Sequence, residues 1–588
     1  MKIRVFTLIM TIGIYLLIYA CNQNKTNVKV EAPLFENMGG DHFEITTSSE
    51  LAQRYFDQGL VLAYGLNHAE ALRSFEEAIR LDSECAMCYW GIAYILGPNI
   101  NSKMDETLLN QANSAVQKAV SLIDKVSAKE KAMIWAMTKR YPELPIDDMS
   151  AHNSEYARAL GKIYEEYSKN DDIGCLYAEA LMNEHPWNFW KKNGEPESWT
   201  PKILTILEGI LEYSPYHSGA NHYYIHAVEA STNPSRALPS ANRLRDLVPD
   251  AGHLVHMPSH IYIRTGDYHQ GTIANEKAVK ADSTYIENCK AQGIYPLAYF
   301  PHNYHFMAAT AALEGRGEKA IDAAFKVAAH VDQKLMREPG WGTLQHYYTI
   351  PYFVLVKFAQ WEKIVQLPKP EEDLKYPLAI WHYAQGMAAL SADNLDNGKQ
   401  HLTSINEIEA DSSIYEIEIW ELNSVGSVVN MAALILEGEI ETKMQHYDEA
   451  IEKLNQALAI EESLTYTEPP DWFFSIRHAL GAIYMEAGKY NEAESTYKED
   501  LKMFPDNGWA LKGLANSLIA QGKNKEAMVI LKKFDESMQF SDIDINSSRL
   551  ISQDVQQYKN LNIDYLAEYK FTDDFTLSQC SRQDLNIN

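Results

Sequence analysis

GAIYMEAGKYNEAESTYKEDLKMFPDNGWALKGLANSLIAQGKNKEAMVIL, residues 481–531, holds the same pattern twice. Gly488 to Gly522 is a step of 34 residues, and Ala493 to Ala527 is a second step of 34. Gly481 and Gly513 each sit in an apolar stretch, a glycine breaks the chain, and a second stretch follows with Ala493 and Tyr497, or Ala527 and Leu531, at helical spacing. A fixed period of this length built from two helix-length stretches marks an array of helical hairpins. Further copies lie upstream. Ala71, Phe75 and Ala78 form one set and Tyr447, Ala450, Leu454 and Ala457 another, while Pro215 to Pro249 is again 34 residues, followed by Tyr262, Gly266 and Tyr268. Between residues 50 and 535 the period accommodates roughly eight to ten units, some with insertions.

These residues resemble the tetratricopeptide repeat (TPR), in which two antiparallel helices meet at small residues and an aromatic closes their contact. The resemblance implies an all-α, TPR-type superhelix, an α-solenoid with a concave groove and loop insertions; of function it says almost nothing. The expected organisation is a TPR-like array over 49–330, divergent TPR-like hairpins over 331–440, well-formed repeats over 441–535 and a cap or tail over 536–588. Two aromatic insertions interrupt the rhythm. Residues 183–200 carry His185-Pro186-Trp187-Asn188-Phe189-Trp190, and residues 283–301 carry Tyr285, Tyr295, Tyr299 and Phe300. Either could pack on the convex surface or fold over the groove as a lid.

The amino terminus reads as an address. Lys2 and Arg4 precede an uncharged apolar run from Val5 to Ala20, of signal-peptide length and short for a stable span. Leu17-Ile18-Tyr19-Ala20-Cys21 resembles a bacterial lipoprotein signal, looser at Tyr19, where a smaller residue is usual. That resemblance implies a signal peptide over 1–20, palmitate-type acylation at Cys21, a polar tether over 21–48 and a body anchored in the envelope facing the periplasm. Asn22 is compatible with outer-membrane sorting. An uncleaved helical anchor is the alternative.

A cluster of histidines carries the candidate chemistry. Eight of the 19 His lie within residues 222–305, one-seventh of the chain. His222 and His226 are i, i+4 with Glu229 at i+7, and His253, His256 and His260 are i, i+3, i+7, so each set lines one helical face. The TPR frame places these residues, with Arg264, His302 and His305, at groove-facing positions of three successive units; His346 is the matching residue of the next. An imidazole pair one turn apart can chelate a transition metal, with further ligands from a neighbouring helix. Nitrogen-rich ligation suits Zn, Cu or Fe better than Mg or Ca. His222, His226, Glu229, His253, His256, His260, His302 and His305 are therefore candidate metal ligands, and Arg264, His346 and Glu179 candidate contacts for a small-molecule, peptide or protein ligand. A metal-free imidazole network binding an anion or peptide is the competing reading of the cluster, and a metal-free envelope scaffold is the competing reading of the protein.

Composition narrows the field. With 80 acidic and 52 basic side chains the formal charge is −28, unsuited to nucleic acid or an anionic membrane face. Six Cys are too few for a disulfide scaffold. Cys85-Ala86-Met87-Cys88 is either a local disulfide or two thiols packed between repeats. No Walker loop, Rossmann glycine set, nucleophile-elbow serine or H-E-x-x-H motif is present.

Overall fold

A computed structural model describes residues 32–141, 148–289 and 294–551. Antiparallel helical hairpins follow one another along this length: Glu50–Tyr64 with His68–Leu81, Phe300–Leu313 with Gly317–Ala329, Lys375–Ser391 with Leu395–Glu409, Val425–Lys443 with Tyr447–Ser463, and Gly508–Ala520 with Asn524–Ser537. Among the described residues the sheet is a single two-residue ladder, Glu418–Ile419 against Asn423–Ser424. The fold is all-α and of TPR type. No helix of the described residues is long and apolar enough to cross a membrane.

The repeat has a simple steric basis. A Cβ on Gly481 would lie 2.5 Å from the Tyr497 ring and one on Gly513 2.2 Å from it, so one aromatic sits between two glycines of successive first helices. Phe75 is held in the same way, 2.7 Å from the Cβ that either Gly59 or Gly91 would carry. In both places the aromatic lies 16 residues from each glycine. Interiors packed at crystal density leave no room for the extra methyl group. Helix starts are fixed by side-chain caps, as at Asn67, Asn170 and Asn507, and by a capping box at Ser127 and Glu130.

Two large cores run along the array, one from Ala32 to Tyr299 and one from Ile263 to Ile551. Within the second, the carboxyl-terminal repeats pack back against the middle of the array. Arg264 Nε donates to the Met503 carbonyl (3.2 Å), the Tyr268 hydroxyl to that of Pro505 (2.7 Å) and Trp509 Nε1 to that of Ala312 (2.9 Å).

Residues 32–48 correct the expectation of a polar tether. Ala32, Met38, Phe43 and Ile45 are buried, and the segment is pinned by Asp41 to the Ser218 amide, by Asn37 to Asp250 and by Thr46 to Glu130. Its scattered apolar residues pack into the first core. The signal peptide, Cys21 and the tether up to residue 31 lie outside the described residues, as does the tail from 552 onward. Residues 538–551 fold back on the array, where Asp542 accepts from the Gly317 amide and Ser548 donates to the His478 carbonyl. Cys85 and Cys88 form a disulfide, and Cys175 and Cys289 are free and buried.

Candidate metal centre

Four helical stretches bring the histidines together. His222 and His226 lie on Ser218–Glu229, His253 and His256 on Gly252–His256, His260 on Pro258–Thr265, and His302 and His305 on Phe300–Leu313. The sequence spacing treats 253–260 as one helix. Pro258 divides it: proline cannot supply the amide that the preceding turn needs, so one helix ends at His256 and the next begins at Pro258. His256 and His260 stay as close across the break as an i, i+4 pair on one helix, with ring centres 4.9 Å apart.

The rings form a continuous chain. His222 meets His226 at 4.8 Å and His253 at 5.0 Å; His226 meets His260 at 5.5 Å; His256 meets both His253 at 5.7 Å and His302 at 4.9 Å. His305 continues it to His346 at 5.5 Å, but stacks on Phe473 and joins no close donor group. Of these rings, from His222 to His346, none is more than 8% exposed. The frame implies a groove; the chain has roofed it. Trp187, Tyr299, Trp420, Leu422 and Glu468 close the space over His226, His253, His260 and His302, leaving a cavity of about 40 Å3. Both aromatic insertions thus reach the histidine cluster, through Trp187 and Tyr299.

Hydrogen bonds fix which nitrogen is left for the cluster. His222 Nδ1 lies 2.6 Å from the Tyr64 carbonyl and His226 Nδ1 2.8 Å from Glu229 Oε1. Carbonyl and carboxylate oxygens only accept, so both Nδ1 atoms carry hydrogen and each Nε2 keeps its lone pair. His256 Nδ1 is 2.7 Å from Asn275 Oδ1, whose identity is set because Asn275 Nδ2 donates to the Gly271 carbonyl. The Nε2 atoms of His222 and His226, and both ring nitrogens of His253, are buried without a hydrogen-bond partner in the protein. His256 Nε2 and His260 Nε2 face each other at 2.9 Å, which requires a shared proton or another cation between them.

Electrostatics follow from burial and two carboxylates. Burial opposes charge on His260, yet Glu229 and Glu468 outweigh it and raise its pKa to about 9. Glu229 Oε2 is 2.6 Å and Glu468 Oε2 3.2 Å from His260 Nδ1, ion-pair contacts lacking hydrogen-bond alignment. Burial would raise Glu229, but His260 and His226 hold it down at about 2, whereas burial carries Glu468 up to about 7. Burial first, and neighbouring imidazoles second, push His222, His253, His256 and His302 well below the usual histidine range. At neutral pH these four rings are uncharged, the form that ligates metal. Within this centre three groups have donor atoms within 4.8 Å of one another: His222, His226 and His253; His256, His260 and His302; and Glu229, His260 and Glu468; a fourth, Asp171, Asp172 and His217, includes none of the candidate ligands.

The remaining candidates lie around this centre. Arg264 is buried with its donors on the Glu229 carbonyl (2.6 Å), Tyr466 and Met503, so it braces the C-terminal end of the His226 helix against the 464–470 loop. His346 Nδ1 pairs with the Tyr376 hydroxyl at 2.8 Å. Glu179 belongs to a separate buried group with Asn183 and Arg140; burial raises it to about 7 against the pull of Arg140. Sequence reasoning missed Glu468, Asn275 and Trp420. Glu468 is the second carboxyl-bearing member of the centre but lies more than 200 residues from His260 in an inter-repeat loop, which no helical period marks. Its Glu468-Pro469-Pro470 context, an extended break between repeats, is the one local signal.

A model of the tetratricopeptide repeat matches residues 484–544. Similar solved structures include the human IFIT1 dimer with m7Gppp-AAAA, at 13% identity and TM-score 0.32 over 77% of this chain and 90% of that one. The APC/C hetero-tetramer Cut9-Hcn1 aligns at 16% identity and TM-score 0.27 over 79% and 76%. No curated protein matches. The matched segment carries a tetratricopeptide repeat, and the architecture around it is of TPR type.

Proposed function

We propose that this protein is a TPR protein whose interior holds a transition metal, Zn, Cu or Fe, on its histidine cluster. The observation that carries the reading is the polarity of the imidazoles. Nδ1 of His222, His226 and His256 is anchored to protein acceptors, while Nε2 of each is directed to the histidine cluster. Metal-binding histidines are oriented in this way, with the non-ligating nitrogen held by a carbonyl or carboxylate. A desolvated lone pair without a partner costs on the order of 1–3 kcal/mol, so several in one place favour a cation that satisfies them. The cavity of about 40 Å3 holds a few water-sized groups, at about 10–15 Å3 each, which favours an ion with a small ligand over a peptide at this site. Elemental analysis of the body purified without a His tag tests this. Stoichiometric Zn, Cu or Fe that falls in a His226→Ala/His256→Ala variant is expected; metal-free protein that also fails to take up these ions from buffer contradicts it.

A second reading concerns the carboxyl-terminal repeats, where Ile519, Met528 and Val529 are 48–71% exposed. Apolar side chains on a repeat end favour a protein-docking surface there, compatible with a metal centre elsewhere. The amino-terminal motif supports attachment to a bacterial envelope membrane, the outer membrane facing the periplasm, through Cys21. Incorporation of labelled palmitate should vanish in Cys21→Ser; persistent labelling contradicts lipid anchoring at that residue.

A further inference from the structure

We propose that the centre binds two transition-metal ions, one on His222, His226 and His253 and one on His256, His260 and His302, which together take a small anion in the adjoining cavity. This rests on the metal reading and extends it from a metal site to a dinuclear one.

Ligand geometry is the first reason. Donor atoms within each triad lie within 4.8 Å of one another, and no such group draws on both triads. Metal–imidazole bonds of about 2.0–2.1 Å place donors on one ion at most about 4.2 Å apart, so modest side-chain rotation completes either triad, whereas one ion cannot collect all six rings. The triads are neighbours, since His226 lies 5.5 Å from His260 and His253 5.7 Å from His256 between ring centres.

A shared support is the second reason. Glu229 spans both triads, Oε1 on His226 Nδ1 at 2.8 Å and Oε2 against His260 Nδ1 at 2.6 Å. One buried carboxylate therefore orients a ligand of each ion. The 2.9 Å approach of His256 Nε2 to His260 Nε2 marks where a cation replaces the shared proton.

Charge and space identify the exogenous ligand. Three imidazoles leave each ion an open coordination position. Two divalent ions would face the carboxylates of Glu229 and Glu468, with Arg264 adding positive charge behind them, so the balance calls for an anion. The cavity of about 40 Å3 walled by Trp187, Tyr299, Trp420 and Leu422 admits a ligand of only a few heavy atoms.

The test uses untagged protein loaded with cobalt(II), freed of excess ion and assayed for cobalt per chain. About two ions are expected in the wild type and about one in each of His253→Ala and His302→Ala, with helicity by circular dichroism unchanged. Azide is then added, and it should alter the visible cobalt spectrum of the wild type. About one ion in the wild type overturns the dinuclear proposal and leaves the metal reading standing; no ion overturns both. An unaltered spectrum at saturating azide overturns the anion site. The wild-type count decides the matter even if either variant fails to fold.

Discussion

Glu229 is fully buried, yet its neighbours keep it ionised. Glu229→Gln would keep the shape while removing the charge that both His226 and His260 use. Losing such a support typically weakens metal affinity by about 10–100-fold. A competition titration with a chromogenic chelator should show that loss; unchanged affinity would mean that the carboxylate does not position the ligands. Asp282 offers a separate pH test. It accepts from the Tyr295 hydroxyl (2.8 Å) and Asn303 Nδ2 (2.7 Å), and burial raises its pKa to about 7. The folded state thus binds a proton that the unfolded state, with a carboxyl near 3.9, has released, so stability is lost as pH rises from about 4 through 7, by at most about 1.4 kcal/mol per unit from this group. Urea unfolding of Asp282→Asn against wild type should show the difference growing in the variant's favour across that window. A pH-independent difference would contradict the assignment.

Among the elements, the glycine–aromatic–glycine packing makes the repeat. Gly513→Ala drives a methyl group into the Tyr497 ring, and overpacking of this kind costs about 1–3 kcal/mol. A lowered unfolding midpoint without loss of helical signal is expected; an unaltered midpoint would show that the ring moves aside freely. This packing was legible in the sequence because the 34-residue period repeats the glycines and aromatics that create it. The facing of the histidines was legible too, since helical spacing sets a face. Their enclosure was not. Trp420 and Glu468 arrive from loops between repeats, and loop paths obey no helical period. Nor did spacing reveal the break at Pro258, although proline's missing amide makes it intelligible afterwards. Residues 32–48 read as a polar tether because their buried apolar residues, Ala32, Met38, Phe43 and Ile45, follow no helical or strand period.

At the scale of the whole molecule the centre lies where two cores adjoin, its histidines on four helices and Glu468 on a loop of the far half. An ion bound only by the folded chain stabilises it by mass action, about 2.7 kcal/mol at a free concentration one hundred times its Kd. The four rings held well below the usual histidine range stay neutral at pH 5.5, but His260, raised to about 9, must give up its proton to ligate, so the effect must weaken as pH falls. The direct measurement is the thermal melt of the wild type and of the His226→Ala/His256→Ala variant with Zn, Cu or Fe ions and with chelator, at pH 7.5 and 5.5. For at least one ion, a metal-dependent rise in Tm at pH 7.5 is expected in the wild type, smaller at pH 5.5 and nearly absent in the variant. Equal shifts in the two proteins, or none with any of the ions, would contradict a metal centre on these histidines.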